Sequence, residues 1–166
     1  MITKDKFIEK YSHLFQDNIP SLECGDGWLI LLDRLCGLIN NNLNNVVKYN
    51  DHWLENKVVD IFKYEENKVL VHEFKITQIK EKFGGLRFYT VGGNEQINGW
   101  IRFAELISYD TCEECGTNQN IGVTSGWFKT MCRHCAIDKN KGDVWMSKED
   151  RAKIMEKNLK KLNNKK

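Results

Sequence analysis

The sequence contains little of what usually marks an enzyme. Its 166 residues include four histidines, and none of them falls in the H-x3-H or H-E-x2-H spacing of a catalytic metal site. It has no Gly-x-Ser-x-Gly elbow and no Walker loop for phosphate. The adjacent acids Glu65-Glu66 and Glu113-Glu114 would point to opposite sides of a strand and could not act together. We therefore predict that the protein is not an enzyme.

The sequence also lacks an uninterrupted apolar stretch at its N-terminus, which predicts neither a signal peptide nor a membrane span. A cytoplasmic location in a reducing compartment is therefore expected. The sequence also lacks a large excess of positive or negative charge, because its formal net charge is only +2. Residues 147–166 hold eight Lys or Arg against three acids, so the other 146 residues carry about −3. This distribution favours a solvated basic end over a nucleic-acid-binding arm.

What the sequence does contain is two C-x2-C pairs, Cys112/Cys115 and Cys132/Cys135, separated by sixteen residues. This spacing is typical of a four-thiolate zinc site. Two disulfides or a redox C-x2-C are alternatives, but a redox motif needs no duplicate and nothing marks the chain as secreted. His134 lies inside the second pair and could replace either cysteine there, although four thiols already complete a tetrahedron. We predict a structural Zn²⁺, because a saturated site leaves no position for water or substrate.

The residues between the two cysteine pairs predict a short hairpin, as in a zinc ribbon, because they combine glycines with β-forming side chains. Trp127 and Phe128 lie in this hairpin, with Lys129 and Arg133 nearby. Zinc ribbons can present such rings to nucleic-acid bases. A tryptophan between two metal-binding turns more often packs the ribbon against its parent domain, and we expect that role here.

Hydrophobic periodicity predicts an α+β fold class: an antiparallel β-sheet packed with helices, an inserted four-cysteine zinc ribbon and a C-terminal helix. A central buried helix begins near Trp28 and is expected to end in the asparagine-rich run 40–45. Asn94 is placed to cap a later helix. The predicted domains are an α+β domain at 1–110, the ribbon at 111–137, and a C-terminal helix with a basic tail at 138–166. Strands are predicted at 58–64 and 68–76, followed by a β-hairpin.

Paired glycines in this hairpin, Gly84-Gly85, predict a two-residue turn. Such a turn places Lys82 opposite Arg87, and Phe83 on the core face with Phe88. Like charges directly opposite repel, and a bound anion would offset the repulsion. Lysine and arginine suit phosphate, glycine amides add donors, and a tyrosine can stack on a base. The predicted ligand-binding residues are Lys80, Lys82, Arg87, Tyr89, Gly84 and Gly85. The alternative is a solvated sheet face whose charge is screened by Glu73 or Glu81.

Several of these stretches resemble a family of small proteins encoded by tailed bacteriophages. The resemblance spans about residues 24–136 and combines a QIKEKFGGLRFY run with a four-cysteine ribbon. The similar residues are Gly27-Trp28, Leu32, the run 78–89, Ala104-Glu105, the run 112–116 and the run 126–132. The resemblance implies an accessory protein made in the cytoplasm of the infected bacterium and supplies no activity. Proteins of this class often counter host defence, some of them by sequestering cyclic nucleotides.

Two functional hypotheses follow. The first is a non-enzymatic counter-defence protein that sequesters a phosphate-bearing nucleotide signal, and such a sponge is expected to form homo-oligomers that build its pocket. The alternative is a zinc-ribbon adaptor that binds nucleic acid or a host protein. Neither hypothesis involves a membrane. Nucleic-acid binding would weaken steeply with salt, which distinguishes the two.

Overall fold

The computed structural model of the chain describes residues 2–16, 22–55 and 74–163. Helices and two small sheets alternate in these residues, which confirms the predicted α+β class. The helices are α1 (Lys4–Lys10), α2 (Leu29–Glu55), α3 (Glu95–Ser108), α4 (Arg133–Asp138) and α5 (Lys148–Asn163). The strands are β1 (Leu22–Glu23), β2 (Lys75–Lys82), β3 (Gly85–Val91), β4 (Ile121–Thr124), β5 (Thr130–Cys132) and β6 (Trp145–Ser147). The predicted strand 58–64 and most of 68–76 lie outside the described residues.

The first sheet has the strand order β1-β2-β3, with β1 parallel to β2 and β2 antiparallel to β3. Its inner face belongs to the main hydrophobic core, where Ile79 and Leu86 are fully buried. Helices α2 and α3 complete that core with apolar side chains such as Leu32 and Ile97, and Trp28 joins it from the turn just before α2. The opposite face of the sheet carries polar side chains, so the sheet separates the core from a candidate binding surface.

Helix α2 runs to Glu55, so the predicted end in the asparagine run was wrong. Asn42 in this run makes tertiary hydrogen bonds to α3 and its cap. Asn42 donates to Gln96 Oε1 at 2.8 Å and accepts from Asn94 Nδ2 at 3.1 Å. Asn94 in turn accepts from the Ile97 N–H at 2.9 Å, which confirms its predicted role as the N-cap of α3.

The hairpin turn consists of Phe83 and Gly84, so the predicted Gly84-Gly85 turn was wrong. Phe83 has φ 55° and Gly84 has φ 78°, both in the left-handed region. Phe83 lies at the tip with 70% of its surface exposed, outside the core to which the sequence assigned it. Gly85 is the first residue of β3. Only glycine fits there, because an added Cβ would lie 2.3 Å from Cζ of Tyr109. Moving the turn by one position changes each pairing by two residues, so alternation still places Lys82 and Arg87 on one face.

The second sheet has the order β5-β4-β6 and surrounds the cysteine pairs. Together with α4 it forms the cysteine module, residues 111–147. Trp145 of β6 lies against Gly122 of β4 and donates from Nε1 to the Met131 carbonyl at 2.9 Å. The second sheet therefore includes a strand beyond residue 137, where the sequence placed the end of the ribbon.

Helix α5 begins after Ser147, whose Oγ accepts from the Asp150 N–H at 3.1 Å and donates to its carboxylate at 2.8 Å. Beyond that cap the helix is solvent-exposed, and its apolar side chains Met155 and Leu159 are 57% and 59% exposed. Among residues 2–16, 22–55 and 74–163, none of the helices combines the length and the apolar character needed to cross a bilayer.

Candidate metal centre and the adjoining sheet face

The four paired cysteines come together at one point. The Sγ atoms of Cys112, Cys115, Cys132 and Cys135 all lie within 4.8 Å of one another, and Cys115 Sγ is 3.8 Å from Cys132 Sγ. Sulfurs at the corners of a tetrahedron, each about 2.3 Å from a central ion, are separated by about 3.8 Å. All six cysteines of the chain are free thiols, so the disulfide alternative is not formed. The donor set therefore fits a tetrahedral metal ion.

Local backbone geometry shapes each pair into a metal-binding turn. In the first turn Gly116 has φ 78° and donates from its N–H to the Cys112 carbonyl at 2.9 Å. In the second turn Cys132 is the N-cap of α4, and its sulfur accepts from the Cys135 N–H at 3.4 Å. Backbone N–H groups of Glu114 and Cys115 also hydrogen-bond to the Cys112 sulfur, so both turns direct backbone donors toward sulfur, which stabilises thiolates.

The acidities of the thiols also suit a shared cation. Burial would raise the pKa of the Cys112 thiol, but backbone hydrogen bonds at Cys132 and Cys115 outweigh it and hold that pKa below its usual value. Burial and the neighbouring sulfurs raise the pKa of Cys135 above its usual range. Four thiolates this close repel one another, so full deprotonation requires a positive ion between them.

His134 is not part of this cluster. Its side chain is 83% exposed, and its Nδ1 lies 3.2 Å from a carboxylate oxygen of Asp138 one helical turn away. The alternative in which His134 replaces a cysteine is therefore not what the structure shows.

The first metal-binding turn packs against the loop that precedes α2. A Cβ on Gly27 would lie 2.4 Å from the Cys112 carbonyl oxygen and 2.5 Å from the Gly116 nitrogen, so only glycine fits. Trp28 donates from Nε1 to the Thr111 carbonyl at 2.9 Å. These residues therefore join the start of α2 to the metal centre, a role that a local sequence pattern cannot reveal.

Glu113 is a buried acid that holds three segments together. Its Oε1 accepts from the Gly25 N–H at 2.9 Å, its carbonyl accepts from the Gly27 N–H at 2.8 Å, and its own N–H donates to the Thr130 carbonyl. Lys129 Nζ lies 3.6 Å from Glu113 Oε1. Burial nevertheless raises the pKa of Glu113 above its usual value, with Lys129 opposing the shift. We assign this carboxylate a structural role.

The outer face of the first sheet carries the predicted ligand-binding side chains Lys80, Lys82, Arg87 and Tyr89. Lys80 pairs directly with Arg87, whereas Lys82 pairs with Gly85. Glu23 of β1 pairs with Lys80, which places an acid at the margin of this cationic surface. The structure therefore brings the three cations and Tyr89 onto one face, and their role in binding a ligand stays a prediction.

The two glycines of the hairpin are occupied by internal contacts. The Gly84 N–H donates to Glu81 Oε1 at 2.6 Å, and the Gly84 carbonyl accepts from Thr130 Oγ1 at 2.6 Å. Gly85 is buried beneath the Tyr109 ring. Gly84 therefore joins the hairpin to the cysteine module, and its N–H already donates to Glu81. A ligand-binding role of the two glycines stays a prediction.

Arg87 is likewise held by a neighbouring ring. Its Nη2 donates to the Tyr109 hydroxyl at 2.9 Å, its Nη1 donates to the Leu86 carbonyl at 2.6 Å, and its guanidinium lies 5.9 Å from the Tyr109 ring centroid. Tyr109 was missed by the sequence analysis, because it lies 22 residues from Arg87 and no local pattern links the two. The outer face thus includes a second tyrosine.

Three exposed aromatic rings on or near this face each lie beside a cation. Phe83 has the Lys82 ammonium 5.5 Å from its centroid, Tyr89 has Lys80 at 5.3 Å, and Phe128 has the Arg151 guanidinium at 5.4 Å. Trp127 is 73% exposed, so the expectation that it packs the ribbon against the parent domain was wrong. Trp145 is the tryptophan that packs inside the cysteine module, where its Nε1 donates to the Met131 carbonyl. Because Thr130 contacts Gly84, the loop holding these two module rings lies next to the hairpin tip.

A separate cleft of about 760 Å³ lies between β3 and α3. Its lining includes Phe88, Thr90, Glu95, Arg102 and Glu105, and Glu105 already accepts the Phe88 N–H at 3.0 Å. The lining contains no histidine, cysteine or serine.

Comparison with known proteins finds no matching family model, no matching curated protein and no matching solved structure. The resemblance to phage proteins therefore stays a prediction, and function has to be inferred from the metal centre and the sheet face beside it.

Proposed function

We propose that the protein is a non-enzymatic binding module for single-stranded nucleic acid, which it holds on the outer face of the first sheet. The observation that carries this proposal is the pairing of exposed rings with cations at Phe83, Tyr89 and Phe128. Proteins that bind single strands combine positive charge for the phosphates with rings on which bases stack. The described surface offers both on adjacent segments.

The openness of the surface favours a strand over a small molecule. A small-molecule site buries most of its ligand in a concave pocket. Phe83 and Trp127 are instead 70% and 73% exposed and project from turns. The nucleotide-sponge hypothesis also relied on glycine N–H donors, and the Gly84 N–H already donates to Glu81. That hypothesis uses the same cations, and the experiment below distinguishes it.

We further propose that the metal is Zn²⁺ and that its role is structural. Four thiolates saturate a tetrahedral zinc ion, so the ion would supply folding free energy and no reactive position. Two residues link the cysteine module to the rest of the fold. Glu113 accepts a hydrogen bond from the loop before α2, and Thr130 donates one to the β2–β3 hairpin. Elemental analysis of purified protein should find one zinc per chain, and Cys112→Ser should lose the metal and much of its solubility. Metal-free wild-type protein that melts like the purified protein would contradict this assignment.

The class of ligand can be tested by fluorescence anisotropy with a labelled oligothymidylate, its ribonucleotide counterpart, a labelled duplex and unlabelled cyclic dinucleotides as competitors. We expect the single strands to bind more tightly than the duplex, and cyclic dinucleotides not to compete. Phe83→Ala should weaken binding roughly 5- to 150-fold if one base stacks there. Phe103→Ala is the matched control, because Phe103 is also an exposed ring but belongs to α3 and not to the strands and turns of the proposed binding surface. Competition by a cyclic dinucleotide with no strand binding would favour the sponge instead.

A further inference from the structure

The four cysteines of the metal centre differ in their access to solvent. Cys115 is exposed, whereas Cys112 and Cys132 are buried and Cys135 is half-buried. A small oxidant in solution reacts with the thiolate that it can reach, so exposure decides which sulfur reacts first. A thiol that binds a metal ion is deprotonated, so metal binding would keep Cys115 in its reactive form. The fold therefore presents one thiolate of the centre to the solvent.

A second sulfur lies within reach of Cys115. Its Sγ is 3.8 Å from Cys132 Sγ, which belongs to the other metal-binding turn. An S–S bond is about 2.05 Å long, so the two sulfurs have to approach by only about 1.8 Å to form one. Cys112 is less suited as the partner, because its sulfur accepts backbone hydrogen bonds from Glu114 and Cys115. Such hydrogen bonds stabilise a thiolate and make it a weaker nucleophile.

We propose that the metal centre is a redox switch in which hydrogen peroxide joins Cys115 to Cys132 and releases the ion; this inference rests on the structural metal proposed above. The Cys115 thiolate attacks one peroxide oxygen, so the O–O bond breaks, hydroxide leaves and a sulfenic acid forms. The Cys132 thiolate then attacks the sulfenic sulfur, and a second hydroxide leaves as the S–S bond forms. The two thiolates together lose two electrons, and the peroxide is reduced to two hydroxide ions.

The disulfide would remove two of the four metal ligands. Cys112 and Cys135 cannot complete a tetrahedral site by themselves, so the ion should leave. Cys132 is also the N-cap of α4, and its sulfur accepts the Cys135 N–H at 3.4 Å. The strand that ends at Cys132 carries Thr130, whose hydroxyl donates to the Gly84 carbonyl. Oxidation should therefore loosen the cysteine module together with its contact to the hairpin.

The other two cysteines are not placed to take part. Cys24 and Cys36 lie in the main hydrophobic core, with 6% and 0% of their surface exposed. Burial raises the pKa of both thiols above the usual value, so they stay protonated at neutral pH. A buried, protonated thiol is inert toward peroxide. The response is therefore confined to the four cysteines of the metal centre.

Titration of the full-length, metal-loaded protein with hydrogen peroxide tests the proposal. A chromogenic chelator reports released Zn²⁺, and mass spectrometry of alkylated peptides identifies the disulfide. We expect release of about one zinc per chain, a first disulfide between Cys115 and Cys132, and a lower melting temperature. A thiol reductant with added Zn²⁺ should reverse all three changes. Metal that stays bound in excess peroxide, or a first disulfide with any other pairing, would overturn the proposal.

The matched control is Cys24→Ala/Cys36→Ala, which keeps all four ligands of the metal centre. It should release zinc at the same peroxide concentration as the wild type, and loss of the response would show that a core thiol reacts instead. Elemental analysis before oxidation separates this inference from the metal assignment. Protein purified without metal contradicts both, whereas loaded protein that does not respond to peroxide contradicts the redox switch alone.

Discussion

At the scale of single residues, glycines decide how closely the metal centre approaches the rest of the fold. Gly27 leaves room for backbone atoms of the first metal-binding turn at 2.4–2.7 Å from its absent Cβ. Backbone atoms cannot rotate away as a flexible side chain does, so the contact tolerates no added carbon. The tightness of this contact couples the start of α2 to metal binding.

We expect Gly27→Ala to lower the free energy of unfolding by about 1–3 kcal/mol, the usual cost of overpacking. It should also release metal at a lower chelator concentration than the wild type. Gly126→Ala is the control, because Gly126 has φ 79° but no atom within 4 Å of an added Cβ. That variant should lose stability through backbone strain alone and keep wild-type metal affinity. Equal metal affinity in both variants would show that the Gly27 contact does not support the centre.

The sequence predicted the cluster of four cysteines at this scale and missed the residues that support it. The spacing of the four cysteines is a local pattern with few alternative explanations, and the Asn94 cap is equally local. Gly27 and Tyr109 act through partners far away in the chain, at Cys112 and Arg87 respectively. No single-sequence pattern encodes such pairs.

At the scale of elements, the position of the β2–β3 turn is decided by packing. Local propensity allows a two-residue turn at either end of the Phe83-Gly84-Gly85 run, and the sequence favoured the paired glycines. The structure places Phe83 at positive φ, because Gly85 is required beneath the Tyr109 ring. The strand side chains lie on the predicted faces of the sheet, because moving the turn by one residue changes each pairing by two positions. The cross-strand partner of each residue differs from the prediction.

We expect Gly85→Ala to destabilise the protein by about 1–3 kcal/mol, because its Cβ would overlap the Tyr109 ring. Tyr109→Ala alone should also destabilise, since it removes the hydrogen bond to Arg87. In the double variant the overlap no longer exists, so the two losses should sum to more than the measured total. Strict additivity in denaturant unfolding would mean that Tyr109 does not pack on Gly85.

At the scale of the whole molecule, the metal centre and the outer face meet at one contact. Thr130 donates to the Gly84 carbonyl at 2.6 Å and lies on β5, two residues before Cys132. Loss of the metal should therefore disorder both the module and the hairpin tip that carries Phe83. Removing the metal with a chelator should lower the melting temperature and the affinity for oligothymidylate together, and readding Zn²⁺ should restore both. If metal-free protein bound oligothymidylate as tightly as the metal-bound protein, the outer face would not depend on the metal centre.

The central claim is that Lys80 and Lys82 contact phosphates of a single strand. They are better probes than Arg87, because Arg87 also donates to the Tyr109 hydroxyl and its removal would disturb that ring. Each phosphate contact contributes about 0.7 to the slope of log affinity against log salt for single strands. The direct measurement is that slope for oligothymidylate with the wild type, with Lys80→Ala/Lys82→Ala and with the control Lys153→Ala/Lys157→Ala on α5. We predict that the first variant reduces the slope by about 1.4 while the control keeps the wild-type slope. Equal slopes and affinities in all three proteins would contradict binding at the outer face.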